Sequence, residues 1–240
     1  MKNASIITAT RGIGIFLAKH AQALGINSQT YGVACGNVGV SNNLPAEKVD
    51  HLIDIDCKPN LDAVQFQPSS FLIWSTGAFL KVPLGEMTDS HVDTLSELHY
   101  NIPLKLIRRF HQQNTAPYHL IVIASCSSWR LREQEAAYCG FSAAKATFAR
   151  NVAGDLKRER PGSKVTLINP GGIRTPFYYE LEEEGTGFID QNWLADYIWS
   201  AVLNQKRTFD ELQILRQKPI VAGKPPLIEL GQKMPEVLCQ

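Results

Sequence analysis

Apolar residues in this chain fall in short runs separated by longer mixed stretches, and the two kinds alternate. The runs at 5–9, 28–34, 51–55, 71–74, 119–124, 164–169 and 212–215 are rich in β-branched residues and close to continuous in hydrophobicity. That is the pattern of strands covered on both faces. Between several of them the apolar positions recur at helical spacing. Ile13, Phe16, Leu17, Ala21 and Leu24 do so ahead of Gly25, and further helical stretches span 89–113, 141–158 and 192–204. Strands alternating with helices predict an α/β chain with a doubly wound parallel sheet of about seven strands in a single domain. The link between the third and fourth runs is too short for a full helix, so that crossover is expected in abbreviated form. Past the last run, Pro219, Pro225 and Pro226 mark 217–240 as an extended arm.

Composition narrows the function classes. At 240 residues the chain can bury a substantial core. Its 24 Lys and Arg nearly balance 23 Asp and Glu, and no basic stripe suggests a nucleic-acid partner. The apolar runs are too short to cross a bilayer, and a strand-like run begins almost at Met1, leaving no room for a signal peptide. A cytoplasmic protein with no membrane partner is the expectation. Five scattered cysteines form neither a disulfide framework nor a CxxC knuckle, and six histidines show no metal-ligand spacing, so no metal is expected.

Chemistry is concentrated in four places. The first run opens into a helix through Thr8-Ala9-Thr10-Arg11-Gly12-Ile13-Gly14. Glycines there let backbone approach a pyrophosphate, and the helix start supplies N–H donors and a positive dipole end. In the helix over 89–113, Pro103 lacks an N–H and clashes with the carbonyl four residues back. A kink that frees backbone groups near His99 to Asn101 is predicted. Ser125, Ser127 and Ser128 close the fifth run, and an aromatic turn containing Tyr138 and Phe141 leads to Lys145. A tyrosine becomes a better acid beside an ammonium, which favours the phenolate. Finally, Asn169-Pro170-Gly171-Gly172-Ile173-Arg174-Thr175 follows the sixth run.

Taken together, these segments resemble the short-chain dehydrogenases/reductases, over nearly the whole chain to about Arg216. The first turn looks like that family's TGxxxGxG segment, with Thr8 where its first glycine stands. The resemblance implies a nicotinamide dinucleotide held by Thr10, Arg11, Gly12, Ile13 and Gly14. Asn37, Asp54, Ile55, Ser75, Gly77, Lys145, Pro170, Gly171, Ile173 and Thr175 complete the implied cofactor set. No acid follows the second run and Arg11 sits in the turn, which favours NADP, with NAD possible. Asn101 matches the residue of the family's fourth helix whose backbone holds a water connecting the lysine to solvent.

The proton donor is where the resemblance divides. The family's usual Tyr-x-x-x-Lys places the tyrosine four residues before the lysine, and here that position is Phe141. Tyr138 lies two helical turns before Lys145, a spacing similar to that of the enoyl-acyl-carrier-protein reductases. Tyr138 as acid, Lys145 as its acidifier and ribose anchor, Ser128 as the oxygen-positioning donor and Asn101 as water holder form the implied catalytic set. Ser125 and Ser127 stay open as alternatives to Ser128. The implied activity is hydride transfer between the nicotinamide and a carbonyl or enoyl small-molecule substrate. A catalytically silent dinucleotide-binding sensor or partner protein stays open beside it, favoured by Thr8 and Phe141. The stretch 177–190 is the implied substrate lid, and a homodimer or homotetramer the implied assembly.

Overall fold

A computed structural model describes residues 2–10, 12–35, 48–175, 187–216 and 226–230. Its strands are β1 (Asn3–Ala9), β2 (Asn27–Ala34), β3 (His51–Asp54), β4 (Phe71–Trp74), β5 (His119–Ile123), β6 (Lys164–Pro170), β7 (Phe209–Leu215) and β8 (Leu227–Leu230). They form one eight-stranded sheet in the order β3-β2-β1-β4-β5-β6-β7-β8. All pairings are parallel except that of β7 with β8, which is antiparallel. The chain therefore runs outward from β1 in one direction, returns, and runs outward in the other. This reversal between β1 and β4 leaves a crevice at the strands' C-terminal ends.

Successive strand residues face opposite sides of the sheet, and the burial follows that period of two. Ile7, Leu72, Trp74, Leu120, Val122, Val165 and Leu167 enter one core. Ile6, Ile73, Ile121, Ile123, Ile168 and Ile214 enter the other. Helices α1 (Ile13–Ala23) and α5 (Gln191–Asn204) cover the second core. The first is covered by α2 (Asp89–Ser96), α3 (Ile102–Gln113) and α4 (Ala136–Glu159). Two 3-10 turns, Ile55–Cys57 and Leu61–Ala63, replace a helix between β3 and β4, as the short link predicts.

Three departures from the sequence reading matter for the site. The single helix expected over 89–113 is broken by a π-helical turn, Glu97–Asn101, with Pro103 in the first turn of α3. Proline has no hydrogen to give the carbonyl of His99 four residues back, and the backbone widens there instead of continuing. Helix α4 starts at Ala136, five residues ahead of the expected 141, so Tyr138 belongs to its first turn. The aromatic turn expected there is helical, and Tyr138 is buried in it. Within the arm expected over 217–240, Leu227–Leu230 instead pairs with β7 as the sheet's edge strand; 217–225 and 231–240 lie outside the described residues.

Candidate functional site

The crevice opens where β1 gives way to α1. Gly12 holds φ at +105°, a backbone conformation that side chains other than glycine's adopt only with strain, and open space lies above it. Among the described residues no side chain caps the helix start and no acid occupies its first turn, and Gly12 and Ile13 there line the crevice. Gly14 is pressed against β1 and β4. A methyl group on it would overlap Thr8 Oγ1 and Ser75 Oγ. Thr8, which stands where a glycine was expected, is fully buried beneath Gly14 and leaves the crevice open. Gly12 and Ile13 line the crevice; Thr10 is half-buried outside it, and Arg11 lies outside the described residues.

The end of β4 forms the next wall through Ser75, Thr76 and Gly77. Ser75 N–H donates to the carbonyl of Ile7 at 2.8 Å, which ties this wall to β1. Thr76 turns its carbonyl toward α4, where Lys145 Nζ donates to it at 2.7 Å. The same ammonium lies 5.0 Å from the centroid of the Trp74 ring. Only 3% of Lys145 is exposed, and burial brings its pKa down to about 7.

Helix α4 presents Tyr138, Ser142 and Lys145 to the crevice, at i, i+4 and i+7. Tyr138, 6% exposed, meets the rings of Phe79 and His99 edge-on, at 5.2 and 5.5 Å between centroids. Phe141 is turned onto His99, with their rings stacked 6.2 Å apart, and is not part of the crevice lining. The structure thus brings Tyr138 together with Lys145 and puts Phe141 to use as packing.

Of Ser125, Ser128 and Asn101, only Ser125 lines the crevice. Ser125, at the end of β5, lines the crevice, and its Oγ accepts from the backbone N–H of Ser127 at 3.1 Å. Ser128 does not line it; its Oγ is buried without a hydrogen-bond partner among the described residues. Asn101 Nδ2 donates to Ser96 Oγ and Glu97 Oε1, at 2.8 and 3.0 Å, and Asn101 is not part of the lining. The widened turn carries His99, whose side chain points inward. His99 is 3% exposed, its Nε2 lies against the backbone of Ala78, and its Nδ1 is buried without a partner among the described residues. Burial, and then the charge of Lys145, lower its pKa to about 3, so the ring is neutral at physiological pH. Nothing in the sequence singled out His99 or Ser142; the freed backbone near Pro103 was the signal for the first, and the shared face with Tyr138 and Lys145 for the second.

Pro170, Gly171, Ile173 and Thr175 close the crevice beyond β6, as the Pro-Gly segment suggests. Asp54 and Ile55 are elsewhere. The Asp54 carboxylate caps the first 3-10 turn by accepting from Asp56 N–H at 3.1 Å. Ile55 lines a separate cavity with Cys35 and Asp56 at the ends of β2 and β3. Asn37, and 177–186 of the lid stretch, fall outside the described residues.

Solved structures share this architecture. A short chain dehydrogenase family protein from Francisella tularensis superposes with a TM-score of 0.69 at 13% identity, covering 90% of this chain and 98% of that one. A short-chain dehydrogenase/reductase from Vibrio parahaemolyticus does so at 0.64 and 20% identity, covering 89% and 100%. A 3-ketoacyl-(acyl-carrier-protein) reductase from Brucella melitensis, complexed with NADH, gives 0.67 at 15% identity, covering 89% and 96%. No protein-family model and no curated protein sequence matches the chain. At such identities the likeness establishes the doubly wound fold of these structures.

Proposed function

We propose that the crevice binds a nicotinamide dinucleotide, with NADP preferred, and that the protein is an oxidoreductase acting on a carbonyl or enoyl substrate. The observation that carries this reading is the placement of Tyr138 and Lys145 on one face of α4, inside a crevice at the sheet's switch point. The residues present fit the cofactor. The uncapped start of α1 at Gly12 and Ile13 would receive a pyrophosphate, and Gly12 leaves the space that such a group needs. Ser75, Gly77, Pro170, Gly171, Ile173 and Thr175 would wall the nicotinamide end. A bound nicotinamide supplies or accepts a hydride.

The chain's own groups handle the proton and the geometry. As charge develops on the substrate oxygen, the Tyr138 hydroxyl donates its proton to it. Lys145 anchors the ribose hydroxyls and, as an ammonium, favours the phenolate that Tyr138 leaves behind. Ser125 replaces Ser128 as the donor that positions the oxygen. His99 stays neutral and fixes the ring of Tyr138 from the side. Ile123 and Ile173, both nearly fully buried, line the crevice and suit an apolar substrate.

Phe141 favours a second reading, a protein that binds the dinucleotide without turning it over. A panel of ketones and enoyl thioesters, assayed with NADPH on the native protein and the Tyr138→Phe variant, separates the two. Turnover that falls about 100-fold or more in the variant, the range for a general acid, supports the enzyme. Equal turnover in both proteins removes Tyr138 from the mechanism, and no turnover in either supports the silent reading.

A further inference from the structure

We propose that Trp74 is the positioning residue of Lys145, its indole face holding the ammonium in place at the crevice, an inference that rests on the oxidoreductase reading for its use. Lys145 Nζ lies 5.0 Å from the centroid of the Trp74 ring, within the range in which the negative face of an aromatic ring attracts a cation. Tryptophan is the strongest of the natural rings in this role, and the attraction grows when water is excluded. Both conditions hold, since Trp74 is fully buried and Lys145 nearly so. Lys145 lines the crevice and Trp74 does not, so the ring backs the ammonium without taking up space for a ligand.

The ring is itself fixed. Its Nε1 donates to Thr76 Oγ1 at 2.9 Å. Phe148 of α4 meets it edge-on at 5.7 Å between centroids, and Tyr100 of the π-helical turn lies at 6.1 Å. The backbone carbonyl of the same Thr76 accepts from Lys145 at 2.7 Å. Thr76 thus holds the ring with its side chain and the ammonium with its carbonyl. An ammonium has three donors. With one on that carbonyl and the charge seated on the ring, donors remain for groups in the crevice. Its other neighbours there are neutral His99, and Tyr138 and Ser142 on its own helix face. Among the described residues no acid pairs with Lys145. The ring and one carbonyl are therefore what offset the burial of its charge. Burial brings its pKa down to about 7, where the charged and neutral forms are near balance and a change in the ring's field is readily measured.

Mono-, di- and trifluorotryptophan placed at position 74 of the full chain test this, because fluorine withdraws charge from the ring face with little change in shape. Lysine carrying an NMR-active carbon at Cε reports the titration, and the signal missing in Lys145→Met assigns it. Neither substrate nor dinucleotide is needed. The Lys145 midpoint should fall stepwise along the series, by about one unit in all, the order expected for a desolvated cation on an aromatic face. Trp74→Phe, which keeps a weaker face, should lower it less than Trp74→Leu, which keeps none. A midpoint that stays at the native value through the fluorinated series overturns the proposal, and that series gives the answer where Trp74→Leu fails to fold. Where the native protein turns over a ketone or enoyl thioester with NADPH, the alkaline limb of activity should move to lower pH by the same steps. A limb that does not follow the midpoint overturns the positioning role. Absence of NADPH binding sinks the oxidoreductase reading by a separate measurement and leaves the titration to decide the contact.

Discussion

Lys145 carries its charge in a place that burial alone makes unfavourable, and this has a sign that can be measured. Its folded pKa is about 7 against 10.5 unfolded, so between those values the unfolded chain binds more protons. Stability from this group therefore rises from about pH 7 toward 10.5, while below pH 7 the full cost of burying an ammonium is present. His99 and His119 act in the acid range. Their folded values, lowered to about 3 and about 4 by burial, lie under the usual 6.5, so stability falls as pH drops from 6.5 through 4 and 3. Urea unfolding at pH 5, 7 and 9 should show both slopes, and Lys145→Met should flatten the alkaline one. An alkaline slope unchanged in that variant would place the titrating group elsewhere. A second residue-scale consequence concerns Gly14. Gly14→Ala forces a methyl group onto Thr8 Oγ1 and Ser75 Oγ and should cost about 1–3 kcal/mol, the range for overpacking. Combining it with Thr8→Gly should return part of that loss, and a thermal melt of the pair against each single variant is the check.

Among the elements, α4 ties the crevice to the far strands. Arg150 on α4 grips Glu211 of β7 with two hydrogen bonds, at 2.8 and 2.9 Å, and Asn169 of β6 donates to the same carboxylate at 2.9 Å. The Glu211 side chain is 4% exposed, whereas Arg150 is 43% exposed. Arg150→Ala leaves a buried carboxylate without its cation and should cost about 2 kcal/mol, less than a fully buried pair because the arginine is half in water. Adding Glu211→Gln should recover part of it, since no charge then stays buried; urea midpoints of the single and double variants measure the difference. The same helix shows why part of the site was readable and part was not. Tyr138 and Lys145 could be paired from spacing alone, because two turns of helix return to one face. His99 was readable only in part: Pro103 marks freed backbone near it, but which side chain turns inward depends on the π-helical turn that forms there. Ser125 stayed one of three candidates, because the hydroxyls at 125, 127 and 128 follow β5 so closely that the sequence alone does not choose among them.

At the scale of the whole molecule, seven of the strands follow from β-branched runs buried on both faces, and such runs leave few other places in a fold. β8 is different. It is four residues long, follows a proline pair, and owes its existence to the open edge of β7. The switch point between β1 and β4 is likewise a property of strand order, yet it decides where the first-turn glycines, the end of β4 and the face of α4 converge. The dinucleotide site proposed above lies at this convergence. Titrating the native protein with NADPH and with NADH while following nicotinamide fluorescence tests it most directly. A saturable change with both, tighter for NADPH, is the predicted result; no saturable change with either would contradict the account.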